Sequence, residues 1–348
     1  MTETRKMATI RRIDNIEPIE GADKIHTVVI GGWKVVAQKE MNYQVGDLVV
    51  YCEIDSWMPH TVAPFLTEAG KEPKVYEGVQ GQRLRTKKLR GVISQGLLLP
   101  LSVLDEGNIN IGGFIEGEDV SEILGIMKWE PPAEFQAPNS KGNFPSFIPK
   151  TDQDRIQNIR NFAQYRNPEI LFEVTEKLDG SSMTVFVFDE QEGDMRERTG
   201  VCSRNLELKN EPGVTFWEVA LRDELHAKIR STRRNLALQG ELIGPGIQGN
   251  KYNLNQHIYA VYDIFDIDQR KYLLPKERQA ICTDLRIFHV PVLNEISLEH
   301  FDVEQILVQC QFRSTLNDKA EAEGFVFKSM HDDFSFKAIS NKWLLKHE

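Results

Sequence analysis

The sequence predicts an α+β chain in two parts. An N-terminal β-barrel over residues 1–125 is followed by a domain of antiparallel sheets and helices over residues 151–348, with a linker at 126–150 between them. Three observations predict it. Residues 1–125 carry short β-branched and apolar runs separated by Gly turns. Residues 126–150 are rich in Pro, Gly, Asn and Ser, the punctuation of irregular chain. From residue 171 onward, strand-like and helix-like segments alternate without the regular rhythm of parallel βαβ units. A length of 348 residues suits two domains.

Each element follows from its local pattern. Thr27–Ile30 and Trp33–Ala37 flank Gly31-Gly32 and read as a hairpin. Asp47–Glu53 is a strand after a Gly turn, and Val92–Pro100 is another. Between them, Gln82–Gly91 packs Arg83, Arg85, Lys87, Lys88 and Arg90 into eight positions. On one strand Arg83, Arg85 and Lys87 would share a face and contact phosphates; the competing reading is a charged edge that blocks aggregation. Short strands, Gly turns and basic residues together suit an OB-like barrel that binds nucleic acid. Pro131, Pro132, Pro138, Pro145 and Pro149 mark the linker. After it, Thr151 or Asp152 reads as a helix N-cap. Thr215–Leu236 reads as one amphipathic helix, with Phe216, Val219, Ala220, Leu221, Leu225 and Ile229 at helical spacing. Segments 183–188, 237–243, 257–265 and 324–328 read as antiparallel strands. No internal repeat is present.

Composition bounds the function. Hydrophobic residues are 41% and charged residues 27%, ordinary for a soluble globular protein. No stretch is long and apolar enough to span a membrane, and Met1–Met7 has no signal-peptide core, so a cytoplasmic or nuclear location is expected. Cys52, Cys202, Cys282 and Cys310 are far apart and form no CxxC pair. They read as buried thiols in a reducing compartment, and a zinc site is not expected. The net charge of −10 argues against tight nonspecific nucleic-acid binding but leaves room for a local basic patch.

The most informative segment is Glu176-Lys177-Leu178-Asp179-Gly180-Ser181-Ser182, directly after the strand-like Leu171-Phe172-Glu173-Val174. A lysine amine is a nucleophile only without its proton, and its ordinary pKa is ~10.4. A neighbouring carboxylate makes sense if Asp179 holds a metal ion whose charge favours the neutral amine. Gly180 lets the backbone turn and approach a ligand. The companions follow in order: Cys202-Ser203-Arg204-Asn205, Leu238-Gln239-Gly240-Glu241-Leu242-Ile243, Ile258–Phe265, Glu323-Gly324-Phe325-Val326-Phe327-Lys328 and Phe334-Ser335-Phe336-Lys337.

This series resembles the nucleotidyltransferase motifs of the ATP-dependent DNA and RNA ligases and the mRNA capping enzymes, over residues 150–340. The resemblance implies a covalent nucleotidyltransferase domain of the ATP-grasp-like ligase type. It implies that Lys177 is the nucleophile, taking AMP from ATP as a lysyl–AMP phosphoramidate. Read from residue chemistry, Asp179, Glu241 and Glu323 offer oxygen ligands that suit Mg²⁺ or Mn²⁺. Lys328 and Lys337 offset charge on the phosphate oxygens. The resemblance refines these roles. Arg204 contacts the ribose or phosphate, Glu241 the ribose hydroxyls and the metal, Glu323 the metal, and Lys337 the α-phosphate. Tyr262 or Phe265 stacks on adenine, with Tyr262 favoured, and Glu176 contacts adenine through its backbone. Arg155, in Lys150-Thr151-Asp152-Gln153-Asp154-Arg155-Ile156-Gln157-Asn158, contacts nucleotide phosphate or RNA. One departure stands out: Ser335 and Ile339 flank Lys337 at two residues where many relatives carry a second lysine.

Only 11 residues follow Lys337, which leaves no room for the OB domain that DNA ligases and capping enzymes carry there. "GDLVVYCEID" and "LRGVISQGLLLP" resemble the N-terminal OB-like module of the RNA ligase 5 family. The expected function is therefore an ATP-dependent RNA ligase that joins 3′-OH and 5′-phosphate RNA ends, in a nicked duplex or outside one. The alternatives are a small ATP-dependent DNA ligase, an RNA guanylyltransferase, or a noncatalytic nucleic-acid-binding protein on a ligase fold.

Overall fold

Residues 5–107, 113–130, 139–190 and 196–347 are described by the structure, a computed structural model. Pro131, Pro132 and Pro138 of the expected linker lie outside the described residues. The chain divides into two units. One gathers Glu3–Ala133, Gln157–Arg160 and Leu344–Glu348; the other gathers Glu134–Ile156 and Asn161–Trp343. The short returns of chain to the first unit have no signature in the sequence.

The first unit is built from β1 (Ala8–Arg12), β2 (Asn15–Pro18), β3 (Ile25–Ile30), β4 (Trp33–Gln38), β5 (Leu48–Cys52), β6 (Ser56–Pro59), β7 (Lys74–Tyr76), β8 (Val79–Arg83), β9 (Lys87–Leu89), β10 (Val92–Ser94), β11 (Leu97–Leu99) and β12 (Met127–Lys128). Sheets β1-β5-β11 and β12-β6-β8-β7 enclose one core that includes Ile10, Val50, Met58, Leu99 and Ile126. The expected hairpin forms as β3–β4, with Ile30 opposite Trp33 and Gly31 at φ 56°, the left-handed backbone that so tight a turn requires. Val92–Pro100 is two strands, because the chain breaks at Gly96 (φ 110°). The basic run is not one strand either. β8 ends at Arg83, Leu84 turns into the core, and β9 starts at Lys87. Arg83, Arg85 and Lys87 therefore do not share a strand face. β12, inside the expected linker, pairs with β6.

The second unit contains β13 (Ser140–Asn143), β14 (Asp154–Arg155), β15 (Leu171–Lys177), β16 (Ser181–Glu190), β17 (Arg196–Cys202), β18 (Leu206–Leu208), α1 (Thr215–Arg222), α2 (Leu225–Ser231), β19 (Leu236–Ile243), β20 (Ile258–Asp266), β21 (Lys271–Tyr272), α3 (Pro275–Asp284), β22 (Val292–Ser297), α4 (Val303–Gln309), β23 (Gly324–Ser329), β24 (Ser335–Ile339) and only the start of α5 (Asn341–His347). A seven-stranded antiparallel sheet runs β13-β18-β17-β16-β19-β20-β21, and a five-stranded sheet runs β14-β24-β23-β15-β22. Trp217, Val219, Leu225 and Ile229 of α1 and α2 bury against Met183, Val185, Leu238 and Val261 of the larger sheet.

Two expectations are corrected here. The helix expected over Thr215–Leu236 is two helices, because Glu224 takes a left-handed backbone (φ 53°). That break turns Leu225 and Ile229 onto the core and leaves Leu221 exposed, and Leu236 already belongs to β19. Thr151 and Asp152 cap no helix: the chain beyond them forms β14, which pairs parallel with β24.

Candidate active site

Lys177 is the last residue of β15 in the five-stranded sheet, and Ser181 is the first of β16 in the seven-stranded sheet. Leu178–Gly180 thus carries the chain from one sheet to the other. Leu178 is buried with Ile243, Tyr252, Ala260 and Val290, which anchors the crossing. The close approach explains Gly180: a Cβ there would run into the Leu242 carbonyl and the Glu241 side chain. Its backbone is not left-handed, so the lack of a side chain matters more than the turn expected for it.

Register sets the face of the smaller sheet. In the β15–β23 ladder Glu173 faces Lys328, Thr175 faces Val326 and Lys177 faces Gly324. Val326 in turn faces Lys337, and Lys337 faces Arg155 of β14. Cross-strand partners share a face and alternate residues stay on it. Lys177, Lys328, Lys337 and Arg155 therefore project from one side. Glu176 projects from the other, where its buried carboxylate accepts from Thr315 N (2.9 Å) and Oγ1 (2.6 Å).

Three polar groups surround the crossing. Lys177 Nζ lies 2.7 Å from Glu323 Oε1. Glu241, on β19, accepts from Gly180 N–H at 2.9 Å. Burial pushes its carboxyl up to about 7; Lys177 draws it down and Glu323 pushes it further up. Asp179 forms an ion pair with Lys251, and its backbone N–H donates to the Tyr252 hydroxyl at 2.7 Å.

A second cluster holds Lys337, whose Nζ donates to Asp152 Oδ1 at 2.8 Å, while Arg204 stands 3.9 Å from Asp152 Oδ2. Tyr262 is half-buried, and its hydroxyl meets Thr151 Oγ1 at 3.0 Å and Ser182 Oγ at 3.3 Å. Phe265 is elsewhere: it is buried with Ile148, Phe186 and Ala237 in the core and is no candidate for stacking on a base. Lys328 is also corrected. Its ammonium is buried, donates to the Tyr262 carbonyl at 2.6 Å and pairs with Asp263, so its charge is neutralised inside the protein. Burial draws it down to about 8, against the pull of Asp263.

The sequence predicts Asp179, Glu241 and Glu323 as a metal-ligand set. Among the described residues no three His, Cys, Asp or Glu side chains come together as one. The carboxylates are engaged separately, by Lys251, by Gly180 and by Lys177. Sequence reasoning misses Lys251, Tyr252 and Thr315, which sit in segments with no period, and it reads Thr151 and Asp152 only as caps.

A family model described as RNA ligase matches residues 170–340, and an OB-fold domain model matches residues 7–101. No curated protein sequence matches the chain. Among solved structures, Naegleria gruberi RNA ligase with PPi is similar at 42% identity over 99% of each chain, with a TM-score of 0.88. A glutamate-to-alanine variant of that ligase with ATP and Mn gives a TM-score of 0.87, and another with AMP and Mn gives 0.88, both at 42% identity over 99% of each chain.

Proposed function

Because this chain belongs to the RNA ligase family, we infer that it uses ATP to join RNA 3′-OH and 5′-phosphate ends in three steps. Lys177 attacks the α-phosphorus of ATP; a P–N bond forms, the bond to pyrophosphate breaks, and the amine proton leaves. AMP then passes to the RNA 5′-phosphate, and attack by the 3′-OH releases AMP and seals the strand. The observation that carries this reading is the 2.7 Å contact between Lys177 Nζ and Glu323 at the crossing of two sheets, with Glu241 beside it. That contact orients the amine before reaction, which is how positioning accelerates a phosphoryl transfer.

The other residues take roles from their placement. Lys337 and Arg204, gathered by Asp152, present cations to phosphate oxygens. Arg155 supports the same face. Tyr262 offers a ring to adenine, held at its hydroxyl by Thr151 and Ser182. Glu176 offers adenine its backbone only. The donor set fits a hard divalent cation, because the Glu241 carboxyl is pushed up to about 7 by burial and by the charge of Glu323, a strain that a cation relieves. Glu241 and Glu323 would hold Mg²⁺ or Mn²⁺, which when bound offsets charge on the α-phosphate.

The RNA partner is supported by the exposed Arg85, Lys87, Lys88 and Arg90 around the β9–β10 hairpin. No helix among the described residues is long and apolar enough to cross a membrane. The four cysteines are free and buried, which suits the reducing cytoplasm or nucleus. Labelled ATP or GTP followed by denaturing electrophoresis tests the reading. A covalent label from ATP alone is expected; a label from GTP indicates a guanylyltransferase, and no label indicates a binding protein. Sealing of RNA and DNA strands, nicked and single-stranded, then separates an RNA from a DNA ligase and places the ends in or out of a duplex.

A further inference from the structure

The loop between β19 and β20, residues 244–257, reaches the Lys177–Gly180 crossing and is shaped for that contact. Gln248, Gly249, Asn250 and Asn253 all take left-handed backbone, with φ of 45°, 69°, 49° and 53°. The Asn250 side chain ties the turn together: its Oδ1 accepts from Leu254 N–H at 3.0 Å and its Nδ2 donates to the Leu254 carbonyl at 2.9 Å. Lys251 follows directly. Its carbonyl accepts from Asn317 Nδ2 at 2.8 Å, and its ammonium stands 4.9 Å from the centre of the Trp343 ring while it pairs with Asp179. The next residue, Tyr252, accepts the Asp179 N–H through its hydroxyl. Two consecutive loop residues thus grip one residue of the crossing, by its carboxylate and by its backbone.

A held lysine beside a carboxylate has a chemical consequence. A divalent cation and an ammonium compete for the same oxygen atoms, and the ammonium is preplaced here. The ring of Trp343 gives that ammonium a second favourable contact. The geometry points to Lys251 as a positioning residue that keeps Asp179 away from divalent cations in the nucleotide-free enzyme and yields it when ATP and the cation enter together. The inference rests on the adenylylation reading and on the sequence-based expectation that Asp179 joins Glu241 and Glu323 as a cation ligand. Its effect is order: the cation reaches Asp179 with its nucleotide and not alone.

Binding of Mn²⁺ to the full chain without nucleotide, followed by electron paramagnetic resonance of the free ion, tests this. Lys251→Ala is expected to bind Mn²⁺ about five-fold more tightly than the unaltered protein, the size of effect a partly exposed ion pair supplies. Lys251→Arg keeps the cation and is expected to stay weak. The double variant Lys251→Ala/Asp179→Asn is expected to lose the gain, which ties it to the Asp179 carboxylate. Thermal unfolding of each variant confirms that folded protein is compared. Equal Mn²⁺ affinity in Lys251→Ala and the unaltered protein overturns the role of Lys251, as does a gain that survives Asp179→Asn. Failure of the unaltered protein to form a covalent adduct with ATP overturns the adenylylation reading instead, so the two failures are told apart.

Discussion

Lys177 Nζ and Glu323 Oε1 stand 2.7 Å apart at the end of the β15–β23 ladder, where Lys177 faces Gly324. The glycine is what lets the strands close at this point. A Cβ on Gly324 would run into the Ala338 carbonyl of β24, and its φ of 157° is rare for any other residue. The sequence Glu323-Gly324 therefore does two jobs: the glycine permits the close strand approach, and the glutamate, one residue earlier, meets the lysine.

From this pairing, Lys177→Ala is expected to form no covalent AMP adduct, yet to seal an RNA end supplied already adenylylated. Glu323→Ala is expected to form the adduct at least ~100-fold more slowly, the size of effect seen when one electrostatic partner of a transition state is removed. It should also fail on the adenylylated end, if its carboxylate serves the later steps. Gel analysis of both reactions decides the matter. An adduct on Lys177→Ala would mean that another residue is the nucleophile.

Tyr262 and Phe265 are expected to separate cleanly. Phe265→Ala empties a core position and should cost about 3–5 kcal/mol in urea unfolding. Tyr262→Ala should raise the KM for ATP by removing the ring. Tyr262→Phe keeps the ring and removes only the hydroxyl that meets Thr151 and Ser182, about 1 kcal/mol of stability. A raised KM with undiminished stability in Phe265→Ala would reverse the assignment.

What is legible in the sequence is chemistry tied to residue type. Lys177, Glu241, Glu323 and Lys337 stand out because few residues can attack a phosphorus, bind a cation or neutralise a phosphate. The strands carrying them stand out because half-buried strands alternate. The choice between Tyr262 and Phe265 is not readable from alternation: Gln239 faces Asp263 and Gly240 faces Val261, so Tyr262 is an extra, bulged residue of β20, and only the core around Phe265 tells the two rings apart. Asp152 is harder. Thr151-Asp152 has the composition of a helix cap, and only pairing with β24, distant in the chain, shows the segment extended. Lys251 has no signal at all, since its place depends on a run of left-handed residues in a loop without period. Lys328 misleads for a related reason: its partner Asp263 lies on another sheet, and no local pattern announces a buried ion pair.

The basic segment divides the same way. Arg83 pairs with Asp55 at 2.6 Å and lies 3.9 Å from the centre of the Trp129 ring, so it belongs to the architecture of its unit. Arg85, Lys87 and Lys88 are exposed. Replacing these three with Ala is expected to weaken RNA binding and to flatten the log–log salt dependence by roughly 0.7–0.9 for each phosphate that is no longer neutralised. Arg90 is left in place because its backbone is left-handed (φ 47°) in the turn with Gly91 (φ 85°). Arg83→Ala should instead lower the melting temperature. An unchanged salt slope in the triple variant would make the hairpin a solvated edge.

The last prediction concerns acid. His289 is held neutral by its neighbours: Nδ1–H donates to the Val290 carbonyl at 2.6 Å, and Nε2 accepts from Arg278 Nε at 2.9 Å. Arg278 also pairs with Glu173, which sits on β15 four residues before Lys177, so the histidine braces the strand that carries the nucleophile. Burial, and then the charge of Arg278, draw the His289 pKa down from 6.5 to about 4. The folded state therefore takes up this proton less readily than the unfolded chain. By linkage, the contribution is fully present above 6.5 and is lost as pH falls through about 4. His289→Gln has no imidazole to protonate. Its melting temperature should lie below that of the unaltered protein at about pH 7, and the gap should shrink between pH 6.5 and pH 4. Thermal unfolding of both proteins across that range measures it, and a gap that stays constant would show that His289 does not hold a depressed pKa in the fold.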